Sequence, residues 1–341
     1  MIIMTYTIII PYMNSISNFR KRNLFYVIEN YIKIFTDANI CIVEQTTTEL
    51  LQTELLNKYG KHITYFSCDF GEKFHKTKLL NYAINKIDSD VYIMGDADAY
   101  VDSNCIYSIK NDINKGSLIY PFSSVNYLSE YDTRNMLFNN KISYSNHGII
   151  ITRQTGLVNA FTKKTYEIVG GFDECFTEWG AEDDAFLIKC RRLISPIYRN
   201  TMPNSVVYHL FHPKINTQTY LSQMIYKNNR KYCACIKRMS IDDLTDYVNK
   251  KNDMNYYINK YETMGKLNTE FKWECTPKGG LTIDTTIYDI DDTTNMSFTK
   301  LLNIINEEDG KEYAINFIKN IIFKIPNLTD EQVKELNLWM V

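Results

Sequence analysis

Two acidic clusters carry most of the chemistry available to this chain. Asp96 and Asp98 follow a short apolar run, Val91-Tyr92-Ile93-Met94-Gly95, and Glu182, Asp183 and Asp184 follow Trp179-Gly180-Ala181. A carboxylate delivered at the end of a buried strand is a hard oxygen donor. Mg2+ and Mn2+ commonly bind through one or two such carboxylates together with substrate phosphates. Read as chemistry, Asp98 is the candidate ligand for a divalent cation bridging two phosphates, and Asp96 the acceptor for a ribose hydroxyl. Glu44, at the end of another apolar run, is the candidate acceptor for a base N–H. A neutral imidazole among the ligands tilts the choice toward Mn2+, with Mg2+ as the alternative. His209, in Val206-Val207-Tyr208-His209-Leu210-Phe211-His212-Pro213, is the first candidate to supply it, and His212 competes. Taken singly, these signals have plain structural explanations: aspartates cap turns and helices, and acids at a helix start are favoured by its dipole. Their coincidence and order point to metal-assisted transfer of a group from a phosphorylated donor.

The elements that must position these residues alternate between strand and helix. Tyr6 to Ile10 reads as a strand stopped by Pro11, and Ile40 to Val43 as a strand ending in Glu44-Gln45. Ile63 to Phe66 and Asp90 to Met94 read as two further strands. Helical spacing is expected over 19–35, with Phe25, Ile28, Ile32 and Phe35 on one face, and again over 48–59 and 76–85. Continuous apolar strands separated by helices predict an α/β fold with a mostly parallel sheet covered on both faces. Ligands bind such sheets beyond the carboxyl ends of the strands. Pro11, Glu44 and Asp96 are therefore expected on one rim.

The bulk properties exclude several classes. A chain of 341 residues accommodates one large α/β domain and a smaller one. A net charge of −2 favours neither nucleic acid nor an anionic membrane as partner. Eight cysteines are scattered without C-x-x-C spacing, so free thiols in a reducing compartment are expected. Ile8-Ile9-Ile10 has no basic segment before it and no cleavage site after it, and reads as a core strand. No apolar stretch is long enough to predict a transmembrane helix.

Five blocks within about residues 5–215 resemble the GT-A glycosyltransferases, closest to family 2 and to the inverting β-1,4-galactosyltransferase and chondroitin-polymerase-like groups. They are Ile8-Ile9-Ile10-Pro11-Tyr12; Ile42-Val43-Glu44-Gln45; Phe74-His75-Lys76-Thr77-Lys78-Leu79-Leu80-Asn81; Gly95-Asp96-Ala97-Asp98; and Thr155-Gly156 through Gly170-Gly171-Phe172-Asp173-Glu174 to Trp179-Gly180-Ala181-Glu182-Asp183-Asp184. The last, followed by Tyr208-His209-Leu210-Phe211-His212-Pro213, is the specific part. Two departures stand out: Ala181 replaces a glycine usual between Trp and Glu, and Met13-Asn14-Ser15 stands where the galactosyltransferase group carries arginines.

The resemblance implies a Rossmann-like GT-A domain over 1–236, and the change of character after about Lys237 reads as a smaller, largely helical accessory region over 237–341. It implies a hexosyltransferase moving Gal, GalNAc, Glc or GlcNAc from a UDP-sugar to a hydroxyl on a glycan, lipid-linked sugar or protein. By the same resemblance Asp98 and His209 are metal ligands and Asp183 is the general base. Pro11, Tyr12, Glu44, Lys78, Asp96 and Gly156 face the donor, and Trp179, Glu182 and Asp184 face the substrate. A related retaining group has Asn where Asp183 stands, so Asp183 implies inversion. A cytoplasmic location, bacterial or viral, is expected. The alternatives are an inactive sugar-nucleotide-binding module and a phosphotransferase using Asp96 and Asp98. Beyond Lys237, helices are expected over 241–261, 298–305 and 313–323, and strand-like segments over 271–288.

Overall fold

The computed structural model describes residues 4–13, 18–46, 51–139, 149–150, 154–202, 204–213, 220–250 and 253–267. The elements run β1 (Tyr6–Met13), α1 (Asn18–Ile34), β2 (Ala38–Gln45), α2 (Gln52–Tyr59), β3 (Ile63–Cys68), α3 (Lys76–Lys86) and β4 (Val91–Gly95). After these come β5 (Ala99–Val101), α4 (Ser103–Asp112), β6 (Leu118–Tyr120), β7 (Ser124–Tyr127), α5 (Glu130–Asn139), β8 (Ile149–Ile150) and β9 (Val158–Thr162). The last are α6 (Lys163–Ile168), α7 (Glu182–Leu193), β10 (Ile197–Arg199), β11 (Val206–His209), α8 (Tyr220–Arg238), α9 (Ile241–Lys250) and α10 (Met254–Thr263).

The main sheet has seven strands in the order β10-β6-β9-β4-β1-β2-β3. All its pairs are parallel except those made by β9, which runs against β4 and β6. This is the mostly parallel, helix-flanked sheet that the resemblance implies. Ile8 to Ile10, Ile40 to Val43 and Val91 to Met94 are all buried, as strands covered on both faces must be. The parallel strands end on one rim. Because β9 is reversed, its start joins that rim, with Val158 opposite Gly95.

Two expectations change in detail. β1 does not stop at Pro11 but continues to Met13. Pairing with β4 ends at Ile9, so from Ile10 onward β1 has β2 alone as a ladder neighbour. A proline that lacks an N–H is tolerated where a strand has an open side. The buried stripe of α1 is Leu24, Val27, Ile28 and Tyr31, with Phe35 just beyond; Phe25 and Ile32 are half-buried. The α1 face is thus turned by about one residue from the one expected.

A second, four-stranded sheet, β5-β11-β7-β8, was not foreseen. It starts directly after the Asp96–Asp98 turn and places His209 opposite Ala99. Helices α8 to α10 share a separate apolar cluster with Phe176, Ala181, Ala185 and Ile188, in which Cys235, Ile236, Leu244 and Tyr257 are buried. The boundary expected at residue 236 falls within α8, which runs unbroken to Arg238. The helical expectation over 241–261 is met by α9 and α10; the segments expected over 271–288, 298–305 and 313–323 lie outside the described residues. The seven described cysteines are free thiols. Among the described residues no helix is long and apolar enough to cross a membrane.

Candidate active site

The turn from β4 to β5 is held by both sheets. The Asp96 N–H donates to the Leu157 carbonyl at 2.8 Å, and the Leu210 N–H donates to the Asp98 carbonyl at 2.8 Å. The first bond ties the turn to the segment entering β9, the second to the end of β11. The Asp98 carboxylate faces His209, the last residue of β11, and His212 just beyond it.

Asp98, His209 and His212 offer ligand atoms within 4.8 Å of one another. His212 Nε2 lies 3.1 Å from Asp98 Oδ2, and His209 Nε2 lies 3.9 Å from Asp98 Oδ1. Burial alone would raise the Asp98 carboxyl, but the two imidazoles outweigh it and hold it down at about 2. Its hydrogen bond to Asp98 raises the His212 imidazole above the ordinary histidine value. The His209 ring stacks on Tyr127 of β7 with centroids 4.8 Å apart, which fixes its plane. One carboxylate and two imidazoles, close enough to share one ion, suit a first-row divalent cation such as Mn2+ better than Mg2+. The two histidines, weighed against each other in the sequence, here converge on Asp98.

A second cluster is centred on Lys76, the first residue of α3. Its Nζ lies 2.9 Å from Asp96 Oδ1, 3.0 Å from Asp183 Oδ2 and 3.7 Å from Glu182 Oε1, and Lys76 itself is buried. Burial opposes its charge, but Asp183, Asp96 and Glu182 prevail and keep it firmly an ammonium. For Asp183, burial is the largest influence and pushes the carboxyl well above its ordinary range; Lys76 opposes it, and Glu182 and Asp96 add to it. The β2 end supports this helix start. Gln45 donates to the carbonyls of Gly71 and Lys73 at 2.8 and 2.5 Å and accepts from the His75 N–H at 2.8 Å.

The acidic block opens α7. Ala181 caps the helix at φ 69°, a left-handed conformation that suits glycine better than alanine. Just before it, Gly180 adopts φ +116°, and a Cβ there would lie 2.7 Å from the Tyr226 ring. The exposed Trp179 stacks on Tyr226 with centroids 5.3 Å apart, and Asn229 donates to the Thr177 carbonyl at 2.8 Å. Glu182 accepts from the Gly180 N–H at 3.0 Å. Helix α8 thus holds the loop that presents Trp179 and Asp183.

The remaining expected residues fall into place unevenly. Gly156 lies against Asp183: a Cβ there would be 2.6 Å from Asp183 Oδ2. Its bareness makes room for the carboxylate of Asp183. Asp184 does not present a free face to substrate. Its Oδ1 accepts from Thr155 at 2.6 Å and its Oδ2 from Arg230 at 3.1 Å, so it tethers α7 to the β9 entry and to α8. Lys78 is not in the acidic cluster; its Nζ lies 5.6 Å over the Phe70 ring. Two residues apart on a helix are about 200° apart, so Lys76 and Lys78 cannot share a face. Glu44 is fully buried, accepts from the Tyr65 hydroxyl at 2.6 Å, and keeps Oε1 buried without a hydrogen-bond partner. Burial raises its carboxyl, with the Tyr65 bond opposing. Pro11 and Tyr12 are buried in the last half of β1 beside it, with Tyr12 opposite Glu44. Lys76 was missed although it stands in the same block as Lys78; its position as first residue of α3, nearest the rim, was the usable signal.

Residues 138–213 match the protein family described as the N-terminal domain of galactosyltransferase. That stretch holds Gly156, Trp179, Asp183 and both site histidines. Among solved structures, the chain is similar to GalNAc-T7 with UDP, GalNAc and Mn2+, at 14% identity and a TM-score of 0.49, covering 77% of this chain and 55% of that one. It therefore spans about half of that protein. It is also similar to a mutant of a Drosophila β1,4-galactosyltransferase 7 in complex with manganese, UDP-Gal and xylobiose, at 13% identity and a TM-score of 0.43, covering 65% of this chain and 79% of that one. S. aureus TarS with UDP-GlcNAc is similar at 10% identity and a TM-score of 0.49, covering 99% of this chain and 90% of that one. No curated protein matches the chain.

Proposed function

We propose that the chain is a metal-dependent inverting glycosyltransferase that moves a hexose or N-acetylhexosamine from a UDP-sugar to an acceptor hydroxyl. The reading is carried by the arrangement of the two clusters: a cation-ligand set of Asp98, His209 and His212 and a buried carboxylate, Asp183, reached from one strand-end turn. In the reaction, the acceptor oxygen attacks the anomeric carbon from the face opposite the leaving group. Asp183 takes the acceptor proton, and the electron pair of the breaking carbon–oxygen bond leaves with UDP. A carboxylate base contributes about 10²–10⁴-fold. Asp98, His209 and His212 would hold a Mn2+ ion, which would supply charge stabilisation to the departing diphosphate. Glu44, Pro11 and Tyr12 line the nucleoside end, Asp96 the ribose, and Trp179 offers an aromatic face to a sugar. We assign 1–236 to catalysis and 237–341 to an accessory region, whose described part buttresses α7 through the second apolar cluster.

The test is a UDP-release and thermal-shift screen against nucleotide-sugars with Mn2+, Mg2+ or chelator. Metal-dependent stabilisation by one UDP-sugar, with UDP release that Asp183→Asn abolishes while donor binding is retained, is the expected result. Native turnover in that variant refutes Asp183 as base. Binding without turnover by the native protein, across donors and acceptors, favours a non-catalytic module.

A further inference from the structure

The base proposed above is not free in this structure. Asp183 is paired with Lys76 through both oxygens, at 3.0 and 3.3 Å, and the same ammonium reaches Asp96 at 2.9 Å. Of the groups around Asp183, the Lys76 ammonium is the one that opposes its taking up a proton, while burial, Glu182 and Asp96 favour it. Among the described residues, Lys76 is the only cation paired with Asp183. It is also over-subscribed: one positive charge faces three carboxylates, those of Asp96, Glu182 and Asp183. Asp96 is two residues from the cation ligand Asp98, so Lys76 spans from the donor side of the site to the base.

We infer that Lys76 is a positioning residue that is handed from Asp183 to the donor, so that the base is released only when a nucleoside diphosphate sugar is bound. The inference rests on the functional reading above. Diphosphate oxygens are stronger partners for an ammonium than one shared carboxylate. The Lys76 start of α3 is pinned by Gln45 and His75, so the exchange needs only rotation of the lysine side chain. Through the transfer itself the Lys76 ammonium keeps its three protons. The acceptor proton goes to Asp183, the new bond forms between acceptor oxygen and anomeric carbon, and the old bond's electron pair leaves with UDP. The consequence is that Asp183 takes the acceptor proton more readily once the donor has drawn Lys76 away.

The exchange has a signature in binding that needs no turnover. Donor and Asp183 compete for one ammonium, so neutralising Asp183 must favour the donor. With UDP and Mn2+ as the probe, calorimetry should show Asp183→Asn binding UDP about tenfold more tightly or better, the scale of a hydrogen bond to a charged group. That gain should vanish when Asp183→Asn is made in a Lys76→Met background. Simple repulsion between Asp183 and the diphosphate predicts the opposite, a gain that persists or grows without Lys76. Lys76→Arg, which keeps the charge, should restore the gain and shows that loss of it in Lys76→Met is not misfolding. A gain of equal size in both backgrounds, or none in the Lys76 protein, overturns the inference and leaves the functional reading intact. Failure of the native protein to bind UDP with Mn2+ overturns both.

Discussion

Gly156→Ala is the most informative perturbation of the proposed base, Asp183. A Cβ at this position would stand 2.6 Å from Asp183 Oδ2, whereas ordinary contact begins at 3.4 Å. The carboxylate or the Thr155–Leu157 backbone must therefore move by about 0.8 Å, and misplacement of a reacting group by about 1 Å can cost ~10²-fold in rate. The backbone has little freedom to give. The Asp96 N–H holds the Leu157 carbonyl at 2.8 Å, and Thr155 is bonded to Asp184 at 2.6 Å. The carboxylate is the softer partner, held by the Lys76 ammonium rather than by rigid backbone. The expected outcome is a fall in kcat of about two orders of magnitude with KM for donor little changed. The cost in stability is that of mild overpacking, about 1–3 kcal/mol. Steady-state kinetics and urea unfolding of the variant separate these two effects. Adding Gly156→Ala to Asp183→Asn should lower the residual rate hardly further, since the base is already gone. Native kcat in Gly156→Ala, or full additivity with Asp183→Asn, would refute the placement of Asp183 as the moving part.

Three further outcomes are expected. Arg230→Met removes one partner of the buried Asp184 and should destabilise the protein by about 3 kcal/mol in chemical unfolding while leaving UDP affinity in the folded protein unchanged; a matching loss of affinity would return Asp184 to the substrate side. Ala181→Gly relieves a non-glycine φ of 69° at the α7 cap and should stabilise by about 0.5–1 kcal/mol, read by urea unfolding; a loss of similar size would mean that the left-handed cap costs nothing. In the metal-free protein the Asp98–His212 pair contributes fully between the ordinary Asp value of 3.8 and the ordinary His value of 6.5. That contribution fades as pH falls toward the Asp98 value of about 2 and as pH rises through the raised His212 value. Mn2+ needs His212 neutral, so stabilisation by Mn2+ should grow from pH 6 to pH 8, and a flat profile in thermal-shift measurements would remove His212 from the ligand set.

The alternation of apolar strands with helices was enough to place the rim and to bring Asp96 and Asp98 to it. The same reading could not see the second sheet, because its strands are only two to four residues long and carry no period. The role of the histidines depended on that sheet. Once β11 pairs with β5, His209 and His212 both return to Asp98, and the competition between them disappears. Lys76 against Lys78 was a question of helix phase, decided by where α3 begins. The positions of Gly156 and Asp184 depended on contacts across more than 25 residues, with Asp183 and Thr155, that no local pattern encodes.

The charges at the rim explain why cation and donor belong together in this site. Asp96, Asp98, Glu182 and Asp183 bring four carboxylates to neighbouring elements, and among the described residues Lys76 is the one permanent cation ion-paired with them. The histidines add charge only when protonated, and then they cannot serve as ligands. A diphosphate approaching this rim alone meets surplus negative charge in a partly buried setting, where repulsion is weakly screened. A divalent cation held by Asp98, His209 and His212 would reverse the sign of the charge on that side of the rim. Lys76 then remains for the side of the donor nearer Asp183. Binding of UDP without a divalent cation should accordingly be weak, and removal of the cation by chelator should release nucleotide rather than merely stop turnover. Retention of UDP by the chelated protein with unchanged affinity would show that Lys76 alone offsets the rim.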